Sequence, residues 1–104
     1  MREELRRNQR VRLPEETLLR CEGVGTPLDG RVSVLGLTGM FIRTRDSHPV
    51  GATLVVRLHG FDKDIVEGQC VVRDVLPGGM GVEFSVISEK DEQALKRILE
   101  RLKS

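Results

Sequence analysis

Arg6 and Arg10, four positions apart with Arg7 beside the first, carry the chemistry most readily named in this chain. A guanidinium is a planar fork that donates two parallel hydrogen bonds to a phosphate, or to O6 and N7 of a guanine. It can also stack flat on a purine. Further on, Val34-Leu35-Gly36-Leu37-Thr38-Gly39 sets two glycines three apart. Glycine lets backbone amides approach an anion closely, and it equally makes a tight turn between two strands. The chain has no Trp or Tyr, and Phe41, Phe61 and Phe84 read as core, turn or strand residues. Base stacking on aromatic rings is therefore not expected, and any purine platform would have to come from guanidinium planes.

Other chemistries find no support. Gly23-x-Gly25 is followed by Leu28 where a dinucleotide-binding turn needs a third glycine, and no Gly-x-x-x-x-Gly-Lys run occurs. No Cys, His and Asp cluster has nucleophile or metal spacing, so an enzyme is not expected. Cys21 and Cys70 lie far apart in apolar runs and read as buried free thiols. His48 and His59 fall in turn-like segments and read as surface residues. Asp62 and Asp64 read as turn formers, since calcium needs more oxygen ligands.

A chain of 104 residues supports one core, and 38% hydrophobic with 32% charged residues describes a globular domain. No apolar run approaches the roughly 18–20 residues that span a bilayer. No apolar stretch follows Met1-Arg2-Glu3-Glu4, so the expectation is a cytoplasmic protein, either standing alone or as a module of a longer one. The net charge of +1 is unevenly spread. Residues 1–12 hold Arg2, Arg6, Arg7, Arg10 and Arg12 against Glu3 and Glu4. A basic arm ahead of a near-neutral body points to a local anionic partner, not to a nucleic-acid polymer.

These groups must be positioned by a mainly β body. Pro14 breaks any helix, and turn signals then recur at Gly25–Gly30, Asp46–Pro49, Gly60–Asp64 and Pro77–Gly79. The runs between them predict strands over 16–24, 30–36, 38–44, 52–58, 65–76 and 80–87, as in a barrel or sandwich. Leu54, Val56 and Leu58 share one face, and so do Gly68, Cys70 and Val72. The period then changes. Leu95, Ile98, Leu99 and Leu102 predict a helix over 89–102, with Ser88 as N-cap and charges matching the helix dipole. Its leucine stripe is expected to dock on the chain's own strands. Residues 1–13 are expected to form a flexible arginine-rich arm ahead of a body over 14–104.

The order of these segments resembles the PilZ domain family over nearly the whole chain. The likeness is carried by the arginine arm, then Leu18-Leu19-Arg20-Cys21 and Gly30-Arg31-Val32-Ser33 leading to Gly39-Met40-Phe41-Ile42. It continues through Val50-Gly51-Ala52-Thr53-Leu54, Val71-Val72-Arg73-Asp74-Val75 and Gly78-Gly79-Met80-Gly81-Val82-Glu83-Phe84. The resemblance implies a six-stranded antiparallel barrel followed by one C-terminal helix. It implies a receptor or adaptor for cyclic di-GMP in a bacterial cytoplasm, working with an effector protein or fused domain.

By that resemblance Arg6 and Arg10 grip the ligand, Arg7 is their neighbour, and Gly39 closes the family's Asp/Asn-x-Ser-x-x-Gly motif. The chain departs from the motif twice, with Val34 in place of the acid or amide and Gly36 in place of the serine. Binding would order the arm across the barrel and so transmit a signal. The alternative is a degenerate PilZ domain that does not take the nucleotide and contacts another protein through the face around Val34. No cofactor or metal is implied.

Overall fold

Strand β3, Asp29–Gly36, is the hub of the sheet, because three other strands hydrogen-bond to it. The computed structural model of the protein describes residues 9–103. In chain order the elements are β1 (Arg10–Arg12), a 3-10 turn (Glu15–Thr17), β2 (Leu19–Gly23), β3 and β4 (Gly39–Thr44). They continue with β5 (Thr53–His59), β6 (Ile65–Leu76), β7 (Gly79–Ile87) and α1 (Glu89–Lys103). All pairings are antiparallel, in the order β3-β2-β5-β6-β7-β4, and β4 returns to β3 to close a six-stranded barrel. Strand β1 is an extra piece beside β3. The first half of one β3 edge pairs with β2, and its last three residues pair with β1.

The barrel expected from the sequence is present. The alternation read in β5 and β6 holds, with Leu54, Val56 and Leu58 buried from one strand and Gly68, Cys70 and Val72 from the other. The interior is filled by these together with Leu35, Met40, Ile42, Met80 and Val82. Two local readings are corrected. The strand predicted over 16–24 begins at Leu19, because Pro14 starts a 3-10 turn in which the Thr17 amide and hydroxyl both donate to its carbonyl. Strand β1 falls inside the stretch 1–13 read as an arm. Its sequence, Arg-Val-Arg, offers little apolar signal. What holds it is tertiary: register with β3, and Leu13, whose amide donates to the Ser33 carbonyl and whose side chain is buried.

The helix docks on the barrel as its pattern requires. Ala94, Leu95, Ile98 and Leu99 are buried, and α1 packs mainly on β6 while also touching β1. Its N-terminus is capped by Ser88, whose hydroxyl accepts from the Asp91 amide at 3.1 Å. Asp91 in turn accepts from the Glu67 amide and so ties the first turn to β6. Gly60 lets the helix come close, since a Cβ there would strike Ile98. Asp62 and Asp64, read as turn formers, also receive Arg101 and Arg97 from the helix. No helix among the described residues is long and apolar enough to cross a membrane.

Leu99 is fully buried between helix and barrel. Leu99→Ala is expected to lower the unfolding free energy by about 3 kcal/mol, seen as a reduced urea midpoint at an unchanged m-value. Cys21 and Cys70 are both free and buried, and burial pushes each thiol up to about 12. Both should therefore resist thiol reagents at about pH 8 until the chain unfolds; prompt labelling of the native protein would contradict this.

Candidate ligand-binding face

In an antiparallel ladder, residues directly opposite each other point to the same side. Arg10 lies opposite Gly36, and Arg12 opposite Val34. Val34 in turn faces Phe41 on β4, Phe41 faces Gly81 on β7, and Gly81 faces Asp74 on β6. Leu35, Met40, Met80 and Val82, the alternate residues, are buried in the barrel. The row Arg12, Val34, Phe41, Gly81 therefore lies on the outer surface. A second row, Arg10 and Gly36 followed by Gly39 and Glu83, runs beside it.

Three of the motif positions named from the sequence thus meet. The Arg10 side chain crosses the space that a Cβ would take at Gly36, with Cγ 3.3 Å from that point. It ends beside Gly39, where Nη2 lies 3.2 Å from a Cβ position. Both glycines are steric requirements. A Cβ at Gly36 would fall 2.6 Å from the Gln9 carbonyl oxygen, and one at Gly39 would strike the Val82 carbonyl oxygen. Val34 sits one row over, half-buried, with an apolar side chain where a polar one would reach a ligand. Arg6 and Arg7 lie outside the described residues.

A β-bulge explains the orientation of Val34. The register slips between Val32, which faces Ile42, and Val34, which faces Phe41, so Ser33 has no counterpart on β4. Val32, Ser33 and Leu35 are all buried while Val34 is partly open. Strict alternation sends Ser33 away from Val34, and the bulge leaves it buried, so it does not replace the missing motif serine.

The charges around the face are already sorted. Glu83 accepts from Arg73 Nε at 2.6 Å. Glu15 takes both Nη atoms of Arg43, at 2.9 and 2.6 Å. That hydrogen bond to Arg43, together with its charge, holds the Glu15 carboxyl below the usual carboxylate range and raises the guanidinium. Away from the face, Glu22 is lowered chiefly by its hydrogen bond with His59, 2.7 Å away. Among the described residues, Arg10 and Arg12 have no carboxylate partner, and both are exposed. The face therefore presents two uncommitted cations at its β1 end, with Glu15 and Glu83 held in ion pairs and Asp74 exposed at the far end of the row. Such a surface suits a compact anion.

The residues that reading from sequence missed are Gly79 and Gly81. A Cβ at Gly79 would lie 2.8 Å from Cε2 of Phe41 and 2.9 Å from its Cζ, and one at Gly81 would lie 3.9 Å from Cδ1. Their period was legible, since Met80 between them and Val82 after them are apolar and point inward. Which ring they face depends on the β4–β7 register. Of the other groups weighed from sequence, His48 and His59 are half-buried and engaged with the Pro27 carbonyl and with Glu22. No group of His, Cys, Asp and Glu suited to a metal occurs among the described residues.

Among curated proteins none matches this chain with significance. The model of one family, the PilZ domain, matches residues 4–101. That match spans every strand and almost all of the helix, and with the closed barrel, the extra strand and the single C-terminal helix it shows that the chain belongs to the PilZ domain family.

Proposed function

We propose that this protein is a receptor or adaptor for cyclic di-GMP in a bacterial cytoplasm, binding at the face built from Arg10, Gly36 and Gly39. Membership of the PilZ family implies a cyclic di-GMP-binding or related adaptor domain. The observation that carries the finer reading is the Arg10 side chain, laid across Gly36 and Gly39 with its guanidinium uncommitted among the described residues. A guanidinium held over backbone glycines keeps its fork free for a phosphate or a guanine edge. Arg6 and Arg7, in the preceding segment, complete the grip. Ordering that segment over the ligand changes the surface offered to an effector protein or fused domain, which is how the signal leaves the barrel.

Two positions of the family motif do not contribute. Val34 offers no hydrogen bond, and a contact of that kind to a charged group is worth about 1.5–3 kcal/mol. Gly36 offers none either, and the Gln9 carbonyl leaves no room for a serine there. Together the losses amount to roughly 2–4 kcal/mol, or about 30- to 1,000-fold in affinity. A second reading, a degenerate domain that docks a protein instead, draws on the half-open Val34 lying directly opposite Phe41. That pair is an apolar spot suited to a protein contact.

Calorimetric titration with cyclic di-GMP distinguishes the two. The receptor reading expects measurable heat that Arg10→Ala reduces at least about tenfold in affinity. No heat up to about 0.5 mM ligand would leave the protein-docking reading in possession. Val34→Asn returns a hydrogen-bonding group opposite Arg12 without adding a carboxylate and is expected to tighten binding about tenfold. Gly36→Ser is expected to go the other way, because its side chain displaces β1 and with it Arg10; lost binding together with a lower thermal midpoint would be the signature.

A further inference from the structure

Read as sequence, Phe41 is one more apolar residue in a strand. In the fold it is the one phenylalanine of the three that does not pack against the core, whereas Phe61 and Phe84 do. It stands on the outer surface of β4, half-open, and Arg101 covers Phe61 instead, 5.1 Å from its ring centre. The ring lies along β7. Its Cδ1 approaches Gly81, while Cε2, at the opposite corner of the ring, and Cζ lie over Gly79. The ring thus reaches along β7 from one glycine to the other with no side chain of either between it and the strand, and it stays half-open to solvent. Any side chain at Gly79 would strike Phe41 and the Ile42 carbonyl, so the glycine floor is what permits this posture.

The second planar group of the face also lies against two glycines. The Arg10 side chain rests on Gly36 and Gly39, as the Phe41 ring rests on Gly79 and Gly81. Gly39 and Phe41 are two positions apart on β4, about 7 Å along the strand. That is the scale separating a purine from the phosphate of its own nucleotide. A cation that selects a phosphate thus lies one step from an aromatic plane that accepts any base. Val34, across from Phe41, forms an apolar wall at the side of the ring.

We propose that Phe41 is a stacking platform for a guanine base of the ligand gripped by Arg10. The inference rests on the cyclic di-GMP reading above and deepens it. It names a contact that supplies part of the affinity which Val34 and Gly36 withhold. It also replaces the expectation, drawn from composition, that only guanidinium planes are available for stacking. Glu83 and Asp74 flank the glycine floor, and Glu83 is held away by its ion pair with Arg73.

The test uses the full chain with ring-labelled phenylalanine, titrated with cyclic di-GMP by calorimetry and by NMR. Guanosine monophosphate and ribose 5-phosphate serve as separate probes. The expected result is an upfield ring-current shift of the Phe41 protons with both guanine ligands and none with ribose 5-phosphate. Phe41→Leu keeps an apolar cover over the two glycines but removes the ring, and should weaken cyclic di-GMP binding about 5- to 100-fold. Phe41→Trp should bind at least as tightly as the wild type. An unmoved Phe41 signal, alongside binding that Arg10→Ala abolishes, would overturn the platform while leaving the receptor reading in place. No binding and no shift with any guanine ligand would overturn both. Should either variant fail to fold, the wild-type ring shift alone decides.

Discussion

The constraint on which the rest of this structure depends is that β3 must hydrogen-bond along both of its edges with only eight residues. One edge is taken wholly by β4, which closes the barrel. The other edge is shared, by β2 over Asp29–Val32 and by β1 over Val34–Gly36. The bulge at Ser33 falls at the joint between the two. An extra residue there bends the strand and increases its twist, so β3 leaves one partner and meets the next without losing pairing to β4. Every feature of the candidate face follows from this joint. It turns Val34 outward, sets Arg12 opposite Val34, and sets Arg10 opposite Gly36.

Close approach of backbones is the second theme, and glycine is its instrument. At Gly36 the chain of β1 comes so near that the Gln9 carbonyl occupies the place of a side chain. At Gly39 and Gly79 the neighbouring strands leave no room for a Cβ. Four glycines on the outer surface therefore form two shallow floors, one under Arg10 and one under Phe41. A floor without side chains lets a planar group lie close along the strand, which reduces the rotamer freedom lost when a ligand covers it. The departure from the family's motif at Gly36 is thereby linked to the geometry of β1. A serine and the β1 main chain compete for one volume, and in this protein β1 holds it.

The electrostatics of the face come from subtraction. The chain carries 17 basic and 16 acidic residues, so a cation stays available only where acids are committed elsewhere. Glu15 is held by Arg43, Glu83 by Arg73, and Glu22 by His59 with Arg20 and Arg57. Exposed pairs of this kind contribute little to stability individually. The pairs of Glu15 and Glu83 matter here because they commit the two carboxylates described around the face to Arg43 and Arg73 and not to Arg10 or Arg12. A compact anion approaching β1 then meets positive charge without first displacing an internal partner.

Much of the fold was open to inference from the order of residues. Period-two burial in β5 and β6, the leucine stripe of α1 with its Ser88 cap, and the turn signals between strands are local properties, carried by neighbours in sequence. The six strands of the barrel and the burial of Cys21 and Cys70 followed from them. The arginine and glycine positions of the proposed site came instead from the family resemblance, and residue type alone says what chemistry such side chains can perform. What sequence could not decide were the pairings. Strand β1 has almost no apolar pattern and exists because β3 has an edge to fill. Val32 and Ser33, neighbours in sequence, are both buried only because a bulge shifts the register. Phe41 becomes an open plane, not a core residue, through its alignment with Gly79 and Gly81, thirty-eight and forty positions further along. Register across a sheet is a property of two segments at once, set by how all the strands close together. It is therefore the tertiary structure that decides it.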